Sequence, residues 1–367
     1  MDQKRVTQLQ DLMRIEKLDI LALNAGVDLE YFTGLKFHLS ERPAVLLIPS
    51  SGKPVLIFPE FEHEKAKQSL IELDLYPYPE DTGAWPKVFS NAVKKLGLSH
   101  KIIGVAPESF RFLEMDIIQA AIGHNRFISA ARILNSLKMH KNNEELMAIR
   151  KSIAIAEKAL LALLPQIKPG VSEKWLANQL VIHLLNEGSS SDLPFEPIIA
   201  SGPNSANPHA VPSDRELQAG DALIIDWGAR FDGYISDLTR SFIIAGENPL
   251  MSQISEIVLQ ANQTAIAAIL PNVAAREVDK AARDVISNSG FGDAFTHRTG
   301  HGIGLLAHED PYISQSNPSP LKVGMVFTIE PGIYLPGQGG IRIEDNILIN
   351  DSGCEVLTTL PREVRII

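Results

Sequence analysis

The sequence has few of the features that mark disulfide-linked or membrane-bound proteins. Its 367 residues include one cysteine, Cys354, which leaves no partner for an internal disulfide and gives no sign of an oxidising compartment. No uninterrupted apolar stretch has the length of a membrane span, and the N-terminal segment is charged throughout, unlike a signal peptide. We therefore expect a cytoplasmic protein that has no membrane partner.

The sequence also lacks the signs of a nucleic-acid-binding protein. The net charge is −10, and almost all of the acid excess lies after residue 134. A nucleic-acid surface needs clustered Lys and Arg, and no GxxxxGK[ST] phosphate loop occurs. These observations argue against nucleic acid as a partner. The acid excess leaves room for a cation site, although solvated acidic faces explain most of it equally well.

The length of the chain suits two domains rather than one core. Residues 1–134 alternate short apolar strands with helical patterns, and they contain no spacing typical of a catalytic motif. Long helical patterns then begin near Asn142 and Ser172, followed by loops and further strands. We therefore predict a smaller α/β domain at 1–134 and a larger domain at 135–367.

Two aspartates stand out in the segment from Asp221 to Phe242. The apolar run Ala222–Trp227 contains Asp226, and a turn with an Asp-Gly signal leads into a second run that contains Asp237. A hairpin of this kind could bring the two carboxylates together, where a multivalent cation would stabilise them. A capping aspartate and a surface aspartate are the alternative.

A second informative stretch runs from Thr296 to Pro311. It holds three of the ten histidines, with glycines at 300, 302 and 304 around the middle one. Glycines let a backbone approach a bound group closely and would place an imidazole at a defined point. A nucleotide-binding loop is a competing interpretation, but the GxGxG pattern follows no clear strand.

Two predicted strands near the C-terminus also carry acids inside apolar runs. Val326–Pro331 includes Glu330, and Gly340–Ile349 includes Glu344 on the same face as Arg342 by strand alternation. An arginine beside a carboxylate is typical of a fixed, ionised ligand. Surface acids do not usually fall inside such runs, so the pattern favours a buried acidic site.

These segments together resemble a known family. The words DWGA, SDLTRSF, GHGIG, HEDP, IEPG and RIED, from about residue 140 to the C-terminus, resemble the metal-dependent proline-specific peptidases of the pita-bread fold, the prolidases and Xaa-Pro aminopeptidases. The segment around EYFTGL resembles, more weakly, the creatinase-like N-terminal domain of that family. The resemblance implies an α/β (α+β) protein with a creatinase-like domain at 1–134 and a pita-bread catalytic domain at 135–367.

The resemblance implies a site for two divalent metal ions. The implied ligands are Asp226, Asp237, His301, Glu330 and Glu344. Asp237 and Glu344 would bridge the ions, Asp226 and His301 would complete one side each, and Glu330 would also shuttle protons. Four carboxylates and an imidazole favour Mn²⁺, with Co²⁺ and Zn²⁺ as alternatives, and two such ions lie roughly 3.5–4 Å apart.

The resemblance further implies hydrolysis of the bond before proline by a hydroxide held between the ions. His308 would stabilise the oxyanion, and His209 and His297 would contact the substrate and help to move a proton. The residues expected to orient the ligands are Arg342, Tyr234 and Thr239.

The sequence leaves more than one substrate class open. A prolidase acting on X-Pro dipeptides is slightly favoured over an Xaa-Pro aminopeptidase acting on longer peptides. Arg298 could pair with the free carboxylate of a dipeptide, or it could be an ordinary surface arginine. A creatinase-like hydrolase or lyase is a further alternative, whereas the intact ligand set argues against a non-catalytic binding protein. The resemblance also suggests a homodimer.

Overall fold

The computed structural model describes residues 2–97, 101–123 and 126–367. They form two units, Met1–Lys138 and Met139–Ile367, each with its own core. The first unit ends with the helix Ala131–Lys138. The domain boundary that we predict between residues 134 and 135 falls within this helix.

The first unit is built on a six-stranded mixed sheet in the order β4-β3-β2-β1-β5-β6. Its strands are β1 Ile20–Asn24, β2 Val45–Pro49, β3 Val55–Pro59, β4 Asp74–Tyr78, β5 Ile102–Val105 and β6 Arg126–Ser129. Its helices are α1 Asp2–Ile15, α2 Val27–Thr33, α3 His63–Ala66, α4 Trp85–Lys95, α5 Phe112–Ile122 and α6 Ala131–Lys138. Every residue of β1, β2 and β3 is buried, as expected for strands covered on both faces.

The second unit contains four long helices and several small sheets. The helices are α7 Asn143–Leu163, α8 Glu173–Asn186, α9 Pro249–Ala267 and α10 Ala275–Asn288. The strands are β7 Ile198–Ser201, β8 Ala222–Trp227, β9 Arg230–Phe231, β10 Tyr234–Ile235, β11 Leu238–Ile243, β12 Gly300–Gly302, β13 Glu309–Ile313, β14 Val326–Ile329, β15 Gly332–Leu335, β16 Gly339–Arg342, β17 Asp345–Asn350, β18 Gly353–Val356 and β19 Arg365–Ile366. The two larger sheets have the orders β19-β11-β8-β7 and β13-β12-β14-β17-β18.

Each helix pair of the second unit covers one face of a sheet. Helices α7 and α8 pack on β8 and β11 through Leu223, Ile225 and Trp227, while α9 and α10 pack mainly on β14 and β17. The strand period of two therefore turns Asp226 away from α7 and α8. The opposite faces of the sheets, which these helices leave free, hold the polar residues described below.

One sequence prediction of local structure needs correction. The predicted strand at 340–349 is interrupted: Arg342 ends β16, which pairs with β15, and Asp345 begins β17, which pairs with β14. The break lets Glu344 bridge to Thr239 of β11 instead of continuing one ladder. The GHGIG segment begins with a short strand, β12, held between β13 and β14.

Across the described ranges, no helix is both long enough and apolar enough to cross a membrane.

Candidate active site

The polar faces of the second unit enclose a cavity of about 490 Å³. It brings together ten of the residues predicted to form the site. These are His209, Asp226, Asp237, His297, Arg298, His301, His308, Glu330, Arg342 and Glu344. The remaining wall is largely apolar and consists of Phe195, Glu196, Ile198, Pro208 and Ala307.

The hairpin of β8 and β11 places the two aspartates on one face. Asp226 pairs with Thr239 across the strands, and Asp237 lies two residues before Thr239, so the three side chains point the same way. The backbone of Asp237 is fixed by Asn346, which accepts from its N–H at 3.3 Å and donates to its carbonyl. Asp226 and Asp237 therefore lie diagonally across the hairpin on one face, as the sequence predicts.

His301 lies opposite these acids on β12. Its Nε2 atom is 3.2 Å from Glu330 Oε1 and 3.7 Å from Asp237 Oδ2. Atoms of Asp237, His301 and Glu344 that can bind a metal all lie within 4.8 Å of one another, and all three residues are buried. This spacing suits ligands that converge on one ion.

The electrostatics of the site call for a compensating cation. Burial raises the pKa of Asp237 well above its ordinary value, and the Glu344 carboxylate raises it further. Burial raises the pKa of Glu344 well above its ordinary value, and the charge of Glu330 raises it further. Asp226 also has a raised pKa because it is buried, and its Oδ1 atom is buried without a hydrogen-bond partner among the described residues. These carboxylates fit a divalent ion, which would occupy the unused lone pairs and stabilise the ionised forms.

Arg342 connects the acidic residues through its guanidinium group. Its Nη2 donates to Asp226 Oδ2 at 2.6 Å, and its Nε donates to Thr239 Oγ1 at 3.1 Å. The Thr239 hydroxyl donates in turn to Glu344 Oε2 at 2.7 Å. The arginine thus contacts Asp226 directly and reaches Glu344 only through Thr239, which corrects the expectation that it lies beside Glu344.

Tyr334 is a buried residue of the site that the sequence prediction missed. Its oxygen accepts from Arg342 Nη1 at 2.8 Å and lies 2.8 Å from His297 Nε2. His297 Nδ1 lies 2.7 Å from the carbonyl of Arg298 and must donate to it, so Nε2 accepts from the tyrosine hydroxyl. Burial lowers the pKa of His297, in keeping with a neutral ring. A signal was available, since Tyr334 follows Glu330 within the word IEPGIYL.

His308 and His209 approach the cavity from different segments. The rings of His308 and His301 meet edge to face, with centroids 4.2 Å apart. Burial, assisted by the nearby His301, lowers the pKa of His308 to about 4, so this imidazole is neutral at pH 7. His209 is exposed at the cavity mouth.

Two predicted site residues remain. The Arg298 guanidinium lies 4.3 Å from the ring centroid of Tyr312, and none of the described carboxylates lies within ion-pair distance of it. Tyr234 is outside the cavity lining, and its hydroxyl donates to Glu145 Oε1 on α7 at 2.7 Å. We correct the expectation that Tyr234 orients a ligand, because its strand β10 turns it towards that helix.

Comparison with known proteins agrees with this architecture. Residues 147–351 match the model of metallopeptidase family M24, and residues 5–140 match the creatinase/prolidase N-terminal domain. The Xaa-Pro dipeptidase of Pyrococcus furiosus is 34% identical over 361 residues, which cover 98% of this chain and 99% of that protein.

Solved structures give the same result. A recombinant prolidase from Thermococcus sibiricus is 32% identical with a TM-score of 0.93, covering 100% of this chain and 99% of the other. An X-Pro aminopeptidase from Thermotoga maritima is also 32% identical, with a TM-score of 0.86 and 99% of both chains covered.

The fold and the buried acid–imidazole site define a metal-dependent hydrolase. The chain belongs to metallopeptidase family M24, with a creatinase-like α/β domain before a pita-bread catalytic domain. The predicted family and fold class are confirmed.

Proposed function

We propose that this metallopeptidase hydrolyses the peptide bond before proline and prefers X-Pro dipeptides. The observation that carries the proposal is the convergence of Asp226, Asp237, His301, Glu330 and Glu344 in one cavity with three further histidines and Arg298. The similarity to the Xaa-Pro dipeptidase of P. furiosus and the prolidase of T. sibiricus supports the dipeptide preference.

We assign the five converging residues as ligands of two divalent ions, with Mn²⁺ preferred and Co²⁺ or Zn²⁺ as alternatives. Burial and neighbouring carboxylates raise the pKa values of Asp237 and Glu344 well above their ordinary values, and both acids would hold the ions. When bound, such ions supply Lewis acidity and lower the pKa of water into the working range. The Arg342 fork holds Asp226 in place for this role.

Three side chains of the cavity, His308, Glu330 and His209, are assigned to act on the substrate. Neutral His308 can donate an N–H to the carbonyl oxygen as negative charge develops on it, and Glu330 can hold the proton that passes to the leaving proline nitrogen. His209, at the mouth, is free to contact the substrate. His297 has both ring nitrogens engaged, so we assign it to holding Tyr334 rather than to proton transfer.

A dipeptide differs from a longer peptide by the position of its free carboxylate. Arg298 lines the cavity as a half-buried cation without a carboxylate partner among the described residues, and it can bind that group. This pairing favours dipeptides over longer chains. An Xaa-Pro aminopeptidase is the second candidate, since the T. maritima enzyme has a similar structure.

The replacement Arg298→Met tests the dipeptide preference. We expect KM for Ala-Pro to rise about tenfold or more, as for the loss of one charged pair in a cavity, with a smaller change for Ala-Pro-Ala. Steady-state kinetics on both substrates measure the difference. Equal losses on the two peptides would show that Arg298 does not read the dipeptide carboxylate.

A further inference from the structure

His209 reaches the cavity on a loop with little regular structure. We call residues 202–212 the His209 loop; it follows β7 and contains one short 3₁₀ turn, Gly202–Ala206. The backbone N–H of His209 donates to Asn207 Oδ1 at 3.1 Å, within the same loop. The side chain of His209 is exposed. The position of the imidazole therefore depends on how the loop itself is held.

Both ends of the His209 loop are tied to one carboxylate. Glu173, in the first turn of α8, is fully buried. Its Oε1 accepts from the backbone N–H and the hydroxyl of Ser201 at 2.7 and 2.8 Å. Its Oε2 accepts from the backbone N–H and the hydroxyl of Ser213 at 3.1 and 2.7 Å. Ser201 and Ser213 flank the loop, so Glu173 closes it like a clamp.

The clamp is reinforced on both sides. Asn204, inside the loop, donates to Glu173 Oε1 and Oε2 at 3.2 and 3.1 Å. Arg215 donates to the Ser201 hydroxyl at 2.6 Å and pairs with Asp221, also at 2.6 Å, which brings positive charge near the buried acid. Any other arrangement of the hydrogen-bond donors around Glu173 would therefore leave buried polar groups without a partner.

The cavity side of the loop is held by the strand that carries Arg342. The Arg342 Nη1 atom donates to the carbonyl of Pro208 at 3.4 Å, directly before His209. The N–H of Gly340 donates to Ser205 Oγ at 2.8 Å. These contacts hold the loop next to the site, while Glu173 fixes Ser201 and Ser213 at its two ends.

We propose that Glu173 is a positioning residue that sets the place of His209 over the cavity. Its effect on catalysis rests on the proposed function, because His209 matters only if it meets the substrate. If the loop moves, His209 no longer meets the substrate in the correct position. A displacement of a substrate-contacting group by about 1 Å lowers the rate on the order of 100-fold. Glu173 itself does not touch the substrate.

The variant Glu173→Gln keeps the shape of the side chain but replaces one acceptor oxygen with a donor group. It therefore faces the donors of Ser213 or Ser201 with an N–H₂. We expect kcat/KM for Ala-Pro to fall on the order of 10- to 100-fold. In a His209→Ala background, the same change should cost less than about twofold, because coupled residues are not additive. Ser213→Ala provides a milder variant that should show the same coupling if Glu173→Gln does not fold.

Glu157→Gln is the matched control. Glu157 is also a buried helical acid that accepts from two backbone N–H groups and a hydroxyl, at Thr359 and Leu360, but it has no contact with the loop. We expect it to lower the melting temperature without coupling to His209→Ala. Additive losses for Glu173→Gln and His209→Ala would overturn the proposal.

Hydrogen exchange separates this proposal from the proposed function. The amides of 202–212 should exchange faster in Glu173→Gln than in wild type, while those of α9 stay unchanged. If wild-type protein fails to cleave Ala-Pro, the proposed function is wrong, and exchange alone then decides whether the clamp exists. Unchanged exchange in the loop would overturn the clamp whatever the activity.

Discussion

Arg342 shows how one side chain can organise an acidic site. Its planar fork contacts Asp226, Thr239 and Tyr334 at once, and it is almost completely buried. A lysine could replace the charge but not the three directed N–H groups. The orientation of the acids, more than their mere presence, therefore depends on the guanidinium group.

The replacement Arg342→Lys should weaken metal binding or activity about 10- to 100-fold, as is typical when a residue that orients metal ligands is changed. Isothermal titration with Mn²⁺ and kinetics on Ala-Pro measure the two effects. Arg150→Lys is the control, because Arg150 forms an exposed ion pair with Glu355 that contributes little. Equal behaviour of the two variants would contradict the role of Arg342.

At the residue scale, the acidic residues of the site are easier to predict from the sequence than the residues that hold them in place. Asp226, Glu330 and Glu344 interrupt apolar runs, and such interruptions are visible without a structure. Tyr334 was missed because a buried tyrosine in a strand looks like ordinary core. Tyr234 is expected from the sequence to orient a ligand, but its hydroxyl contacts Glu145, because the sequence does not show which way a side chain points.

At the element scale, β12 carries His301 between two glycines, Gly300 and Gly302, whose positions leave no room for a side chain. A Cβ atom on Gly300 would lie 1.9 Å from the carbonyl oxygen of Thr328, and one on Gly302 would lie 2.3 Å from that of Asp310. The sequence predicts that these glycines let the backbone approach a bound group, whereas in the structure the group close to them is neighbouring backbone. Only the structure shows which strands lie on either side.

The replacement Gly300→Ala should therefore destabilise the second unit, since the clash is with backbone that cannot move aside cheaply. We expect a cost of about 1–3 kcal/mol or more, together with loss of activity, from urea unfolding and kinetics. Gly83→Ala is the control, because its nearest atom is an Asp81 side-chain oxygen at 3.3 Å. A Gly300→Ala protein as stable as wild type would refute the packing argument.

Longer elements were easier to predict than short ones. The long helical pattern near Asn142 and the Asp-Gly turn between two apolar runs predict the helix α7 and the hairpin of β8 and β11, and both form. The break between β16 and β17 was not predicted, because Arg342, Ile343 and Glu344 fit a continuous strand. The isolated bridge from Glu344 to Thr239 is a tertiary contact that no local pattern specifies.

At the scale of the whole molecule, the metal site links activity to stability. Several buried carboxylates face one another, so a bound cation stabilises the folded form relative to the unfolded chain. Protein stripped of metal should therefore melt at a lower temperature than protein saturated with Mn²⁺. A ligand at 100 times its dissociation constant contributes about 2.7 kcal/mol.

Calorimetry of stripped and reconstituted protein measures this shift. Asp237→Asn should fold, show a much smaller shift on adding Mn²⁺, and lack activity, because one of the central acids is neutral. An undiminished shift in this variant would place the metal elsewhere. The homodimer that the family resemblance suggests stays a prediction, and light scattering on the purified protein would test it.

The most direct test of the proposed function is hydrolysis of Ala-Pro, Ala-Pro-Ala and Ala-Ala by chelator-stripped protein with and without added Mn²⁺, Co²⁺ or Zn²⁺. We predict that metal restores cleavage of the proline substrates alone, and that Ala-Pro is cleaved faster than Ala-Pro-Ala. Faster cleavage of the tripeptide would indicate an Xaa-Pro aminopeptidase. Absence of cleavage with every metal, or equal cleavage of Ala-Ala, would contradict the assignment to X-Pro bonds.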